Sequence, residues 1–131
     1  MGGWGTGSFE NDDAQNFLGQ LKSFGLDDLR QILARAADKP DYMEAPESSV
    51  AVAAAEVIAA LKGAPSRAVP HETEEWVGSA QGGSTPELNE LARRAVNRVR
   101  INSELKDLWL EAEGLNEWSA GLRDLEQRLA T

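Results

Sequence analysis

The chain has 131 residues, no cysteine, one histidine and a net charge of −9, and this length suits one globular domain over residues 1–131. The lack of cysteine excludes disulfides, thiolate nucleophiles and cysteine-based zinc sites, and the acidic charge disfavours binding to nucleic acids and anionic membranes. No apolar run approaches the ~18 residues of a membrane helix, and the N-terminus shows no signal-peptide pattern. The lack of cysteine and the acidic charge fit a cytoplasmic protein, which is the expected location.

Apolar residues at helical spacing predict three helices in the first half of the chain, and no segment reads convincingly as a strand. Asn11 or Asp12 would cap the first helix, Pro40 follows the second, and Gly63 is the expected stop of the third. The first predicted helix begins after Asn11-Asp12 and ends at Gly25. The second runs from near Asp27 to Asp38, and the third runs from about Pro46 to Lys62.

The third helix is apolar throughout its interior, residues 50–61, except at Glu56. A helix that is apolar on nearly all sides usually packs on several sides. One stripe, Ser49, Ala53, Glu56 and Ala60, would be the face that reaches water. We therefore expect Glu56 to be exposed or ion-paired. If the stripe is covered instead, Glu56 needs a partner such as an arginine and becomes a site candidate.

The second half begins with an irregular connection, residues 63–84, which is rich in glycine and proline. A long structureless loop is unusual in a compact domain, so we expect a short helical turn over Thr73–Val77 anchored by Trp76. Three clearer helices follow, and Thr85-Pro86, Ser103 and Asn116 open them. The predicted fold class is all-α, a compact array of about five main helices plus one short helix.

An irregular arm, residues 1–10, precedes these helices and contains four glycines around one tryptophan. One interpretation is an arm that folds back and plugs the helix array through Trp4. The other is a glycine loop that binds an anion at a helix N-terminus. Glu10, Asp12 and Asp13 already occupy that positive end and no P-loop lysine follows, so the first interpretation is favoured.

The run Trp4-Gly5-Thr6-Gly7-Ser8-Phe9-Glu10-Asn11-Asp12-Asp13-Ala14 resembles the signature of domain-of-unknown-function family 4259, whose members open with W-G-x-G-x-F-x-N-D-x-A. The similarity continues through residues 42–47, 103–109 and Trp118 and so spans essentially the whole chain. It implies a small, mostly stand-alone bacterial protein and brings no activity, cofactor or catalytic residue. The residues it marks as a recognition or structural motif are Trp4, Gly5, Gly7, Phe9, Asn11 and Asp12.

Two further stretches carry residue types suited to chemistry. Asp41 and Glu44 precede the third helix, where carboxylates stabilise the positive end of the helix dipole. Together with Asp12 or Asp13 they would alternatively form a site for Ca²⁺ or Mg²⁺, although the spacing does not match an EF-hand. His71, next to several glutamates, is either solvent-exposed and idle or a general base or metal ligand.

The single basic stretch holds four arginines, Arg93, Arg94, Arg98 and Arg100. On so acidic a chain they fall short of a nucleic-acid surface. We expect these arginines to form an internal ion-pair network with the acidic middle of the chain, residues 41–84. The second choice is that they form a docking patch for an acidic partner.

Two functions remain open at this point. The favoured one is a non-enzymatic module that binds another protein through the glycine–tryptophan arm and neighbouring helix faces, because no nucleophile–base set is recognisable. The alternative is a small hydrolase or metal-dependent enzyme, which requires its acidic and histidine side chains to converge on one pocket. The side chains that this enzyme would use are Asp12, Asp13, Asp41, Glu44 and His71.

Under either function we expect no cofactor and no nucleic-acid or membrane partner.

Overall fold

A computed structural model describes residues 5–80 and 82–130, which form seven α-helices and contain no strand. This confirms the predicted all-α class. Each of the segments predicted one by one, three helices, a short turn and three further helices, corresponds to one observed helix, so only the stated total of about five main helices plus one short helix is too low by one. A 3-10 turn, Leu21–Ser23, follows the first helix. The helices are α1 Asp12–Gln20, α2 Leu26–Ala37, α3 Ala45–Lys62, α4 His71–Ser79, α5 Pro86–Ile101, α6 Glu104–Glu111 and α7 Leu115–Ala130.

Local capping chemistry sets several of these helix boundaries. The side chains of Asn11, Thr85 and Ser103 each accept a hydrogen bond from the backbone N–H three residues further on, as N-caps do. Gly63 ends α3 with a left-handed φ of 99°, a conformation that glycine adopts without steric cost. Gly25 has a different role from the predicted one, because α1 ends earlier and Gly25 is the N-cap of α2.

The predicted irregular connection over residues 63–84 contains a complete helix, α4, instead of a short turn over Thr73–Val77. The buried indole of Trp76 donates a hydrogen bond to the backbone carbonyl of Phe24 at 2.9 Å. This contact fixes α4 against the connection between α1 and α2. The sequence underestimates α4 because most of its residues are polar, and its stability comes from tertiary packing.

The central helix is α3, which contacts each of the other six helices. Residues 51–59 are all buried, and the alanines among them let neighbouring helices approach closely. The expectation that the stripe through Ser49, Ala53 and Glu56 faces water is wrong, because all three residues are buried. The arm and α7 cover this stripe. Among the helices within residues 5–80 and 82–130, none is both long and apolar enough to cross a membrane.

One buried hydroxyl on α4 provides a test of this packing. Within the described ranges, Oγ1 of Thr73 is the one fully buried side-chain polar atom without a hydrogen-bond partner. Thr73→Val removes this unsatisfied group and keeps the shape, so we expect the free energy of unfolding to rise by about 1 kcal/mol. Urea denaturation measures the change. Thr73→Ser, which keeps the hydroxyl and loses a methyl group, should destabilise, and equal losses in both variants would contradict the prediction.

Candidate functional site

The N-terminal arm, described from Gly5 to Glu10, folds into a tight turn ahead of α1. The N–H of Glu10 donates to the carbonyl of Gly7 at 3.1 Å, and the N–H of Gly7 donates to Oε1 of Glu10 at 3.0 Å. A Cβ atom at Gly5 or Gly7 would lie 2.5 Å from the Glu10 carboxylate. The glycines therefore allow this carboxylate to close over the turn, while Phe9 packs half-buried against the core.

A buried ion pair attaches the arm to the helices. Oε2 of Glu56, on α3, accepts a hydrogen bond from the Ser8 hydroxyl at 2.7 Å. Arg128, on α7, donates to both carboxylate oxygens of Glu56, at 3.0 and 3.2 Å, and to the carbonyl of Ala64 at 3.1 Å. Arg128 also pairs with Asp124 at 2.8 Å. Glu56 is only 6% exposed, so the ion-paired alternative is the correct one and the exposed alternative is wrong.

The charges and hydrogen bonds around the Glu56–Arg128 ion pair favour a structural role for it. Burial lowers the pKa of Arg128, but its hydrogen bonds to Glu56 and Asp124 and their charges outweigh burial and hold the pKa above its ordinary value. Both oxygens of Glu56 are already hydrogen-bonded. Glu56 therefore fixes the arm and α7 onto α3.

An apolar cavity of about 170 Å³ lies beside the arm. Its walls come from the arm, the N-terminal ends of α1 and α3, and the facing sides of α6 and α7. The hydroxyl of Ser49, a residue only 3% exposed, makes no hydrogen bond with another described residue. The lining residues are Gly5, Thr6, Gly7, Ser8, Asn11, Asp13, Ala45, Pro46, Ser49, Val52, Leu105, Leu108, Trp109, Trp118 and Leu122.

The wall formed by α6 is held in place at both of its ends. At its start, Oε1 of Glu104 accepts a hydrogen bond from the N–H of Ala45 at 2.7 Å, next to the beginning of α3. The hydroxyl of Tyr42 donates to Asp107 at 2.8 Å. At its end, Trp109 packs so closely on Gly114 that a Cβ there would lie 2.6 Å from the indole ring. These contacts fix the position of Trp109 over the cavity.

The structure brings together only part of the predicted site. Asp13 lines the cavity and Asp12 is exposed in the first turn of α1, whereas Asp41, Glu44 and His71 do not line it. His71 pairs with Glu75 at 2.5 Å on the exposed side of α4. In the described part of the chain, no three His, Asp or Glu side chains are arranged to hold a metal ion. Trp4 lies outside the described residues.

The four arginines do not form the predicted internal network with the acidic middle of the chain, because none of their ion pairs with described residues uses a carboxylate from residues 41–84. Arg94 pairs with Asp38 at 2.6 Å, and Arg98 donates to the backbone carbonyls of Lys39 and Asp41. Two further pairs, Arg93 with Glu90 and Arg100 with Glu126, are separate from these contacts. The partners therefore lie around residues 38–41 and on α5 and α7, and the acidic middle of the chain supplies few of them.

Sequence reasoning missed Arg128 and the cavity. The signal for Arg128 was Glu56, the lone carboxylate of a buried helix, because a buried carboxylate requires a cation next to it. The sequence does not show where in the chain that cation lies. The helical spacing of Leu105, Leu108, Trp109 and Ala112 predicts that these side chains point inward. Leu108 and Trp109 are half-buried and line the cavity, and Ala112 is exposed because α6 ends at Glu111.

The fold and the site define an all-α protein whose N-terminal arm closes one side of an apolar cavity. The chain belongs to the DUF4259 family, a domain of unknown function, whose model matches residues 2–121. This confirms the resemblance noted in the opening motif at the level of the family. Comparison with curated proteins and with solved structures gave no match.

The buried ion pair predicts a large loss of stability when one partner is removed. Arg128→Met leaves the Glu56 carboxylate buried without its cation, and we expect the free energy of unfolding to fall by about 3 kcal/mol. Guanidinium denaturation measures this loss. The double variant Glu56→Gln, Arg128→Met removes both charges and should recover most of the stability. A double variant no more stable than Arg128→Met alone would contradict this account.

The contact that positions α6 predicts an altered titration of the only tyrosine in the chain. The hydrogen bond to Asp107, together with desolvation and the charges of Asp107, Glu104 and Glu111, raises the pKa of Tyr42 from 10.0 to about 12. Phenolate absorbance should therefore show a midpoint near 12 in the folded protein. The contribution of the contact to stability is complete below pH 10 and is lost as the pH rises through about 12.

Asp107→Asn is the control for this titration. It removes the negative charge next to the phenol, so the midpoint should move back toward 10. Circular dichroism at each pH confirms that the helices remain folded during the measurement. A midpoint of 10 in the unaltered, folded protein would show that Tyr42 does not interact with Asp107 in solution.

Proposed function

We propose that this protein is a non-enzymatic protein-interaction module that accepts an apolar side chain of a partner in the cavity beside the arm. The observation that carries the proposal is the cavity itself, which has two tryptophans and four large aliphatic side chains in its walls. These six side chains are Trp109, Trp118, Val52, Leu105, Leu108 and Leu122.

The size of the cavity supports an occupant of side-chain dimensions. An apolar protein cavity of about 150 Å³ is large enough to hold a benzene molecule. A cavity of about 170 Å³ therefore suits one aromatic or branched aliphatic side chain. The unpaired hydroxyl of Ser49 offers one hydrogen bond to a polar atom of the same occupant. Binding hot spots commonly consist of one large side chain in such a pocket.

The charge around the cavity indicates which partner segment fits. Asp13 lines the cavity, Glu10 and Asp12 are exposed next to it, and the whole chain carries −9. An acidic rim attracts a positively charged segment and raises its association rate at low salt. The expected partner segment is therefore basic and carries one large apolar side chain.

The enzymatic alternative has less support from the same geometry. A hydrolase or metal-dependent enzyme needs its carboxylates and its base within hydrogen-bond reach of one substrate. Of the side chains considered for it, Asp13 lines the cavity, whereas His71 and Asp41 belong to other surfaces. The lack of cysteine and the family resemblance support a bacterial, cytoplasmic setting for the proposed module.

The experiment selects peptides from a displayed random library on the folded protein. We expect enrichment of peptides that combine Lys or Arg with one aromatic or branched aliphatic residue, and their binding should perturb the fluorescence of Trp109 and Trp118. Leu108→Glu places a charge in the cavity wall and should weaken binding of the selected peptides at least about tenfold.

Leu110→Glu is the matched control, because Leu110 lies on the same helix, is 58% exposed and does not line the cavity. It introduces the same charge and should leave binding unchanged. Circular dichroism checks that both variants keep their helices. Equal binding to the two variants, or selected peptides without basic and apolar residues, would overturn the proposal.

A further inference from the structure

A second surface groups positive charges on this acidic protein. We call it the basic groove, a depression of about 490 Å³ between the C-terminal end of α5, α6 and the first half of α7. Three of its side chains are cationic, and no carboxylate lines it in the described part of the chain. Its residues are Arg100, Ile101, Lys106, Leu115, Asn116, Ser119 and Arg123.

The carboxylates of α6 lie at a different edge of that helix. Glu104 accepts a hydrogen bond from the backbone of Ala45, and Asp107 accepts one from Tyr42. Glu111 acts on the same tyrosine through its charge. Lys106 lines the groove instead, so α6 separates its negative charges from its positive one.

The three cations of the groove are not equally neutralised. Arg100 is held by Glu126 at 2.6 Å and is therefore fixed in place. Lys106 donates to the backbone carbonyl of Ile101 at 3.1 Å, which leaves its charge unmatched by a carboxylate. Arg123 is exposed and forms no ion pair with another described residue. Two positive charges of the groove are thus available to an anionic partner.

Apolar surface accompanies these charges. Ile101, the last residue of α5, is 54% exposed, and it lines the groove together with the half-buried Leu115. A phosphate ion or a nucleic-acid backbone gains nothing from this apolar floor. A peptide that carries both carboxylates and an aliphatic side chain matches both features.

We infer that the basic groove binds an acidic peptide segment of a partner protein. In this arrangement carboxylates of the segment pair with Lys106 and Arg123, and an aliphatic side chain packs on Ile101 and Leu115. The groove does not share lining residues with the arm-side cavity, and it selects the opposite charge. This inference therefore goes beyond the proposed function and stands or falls independently of it.

The test is an NMR titration of the ¹⁵N-labelled full chain with a synthetic peptide, Glu-Asp-Leu-Glu-Asp. We expect amide shift changes confined to the groove, around residues 100–106 and 115–123, that shrink as salt is added. Replacing Leu by Gly in the peptide should weaken binding, because the apolar contact is lost. No shifts at millimolar peptide, or shifts centred elsewhere, would overturn the inference.

Charge-reversal variants make the test specific. Lys106→Glu combined with Arg123→Glu should lower the affinity for the peptide at least about tenfold. Arg35→Glu reverses one exposed charge on α2, as Arg123→Glu does on α7, and as the control for that single reversal it should not change the affinity for the peptide. Basic peptides selected on the arm-side cavity should still bind the Lys106→Glu, Arg123→Glu variant, which separates failure here from failure of the cavity proposal. A single-stranded oligonucleotide that binds the groove more tightly than the peptide would overturn the inference in favour of nucleic acid.

Discussion

The carboxylate of Glu56 is buried in the one helix that contacts all the other helices, and a charge in that position requires a matching cation. Arg128 of α7 supplies the cation, and Ser8 of the arm supplies a further hydrogen bond. These partners come from segments near the two ends of the chain. Neutralising one buried charge therefore brings the arm and α7 together on α3, and the apolar cavity forms between them.

The opening motif of this chain, in its described part, builds one wall of that cavity. Gly5 and Gly7 leave room for the Glu10 carboxylate, Phe9 packs on the core, and Asn11 caps α1. Each of these residues has a local structural contact, and Gly5, Gly7 and Asn11 also line the cavity. A structural and a recognition role are thus compatible, because the same turn that anchors the arm shapes the surface offered to a partner.

The short helix α6 separates the two surfaces for which we propose partners. Leu105, Leu108 and Trp109 line the cavity with its acidic rim, whereas Lys106 lines the basic groove. Its own carboxylates are used in contacts with Tyr42 and the start of α3. A chain with a net charge of −9 thus has a small positive surface in its described part, and charge would direct the two proposed partner segments to different sides of α6.

The sequence by itself determined the all-α class and most helix boundaries, because caps such as Asn11, Thr85 and Gly63 act on neighbouring backbone groups. It also indicated that Glu56 needs a cation if covered. Tertiary structure alone decided that Arg128, 72 residues away, is that cation, that α4 is a full helix, and that Leu108 and Trp109 line a cavity. The physical reason is range: caps and apolar periodicity act within a few residues, whereas charge pairing and cavity walls depend on which helices meet in space.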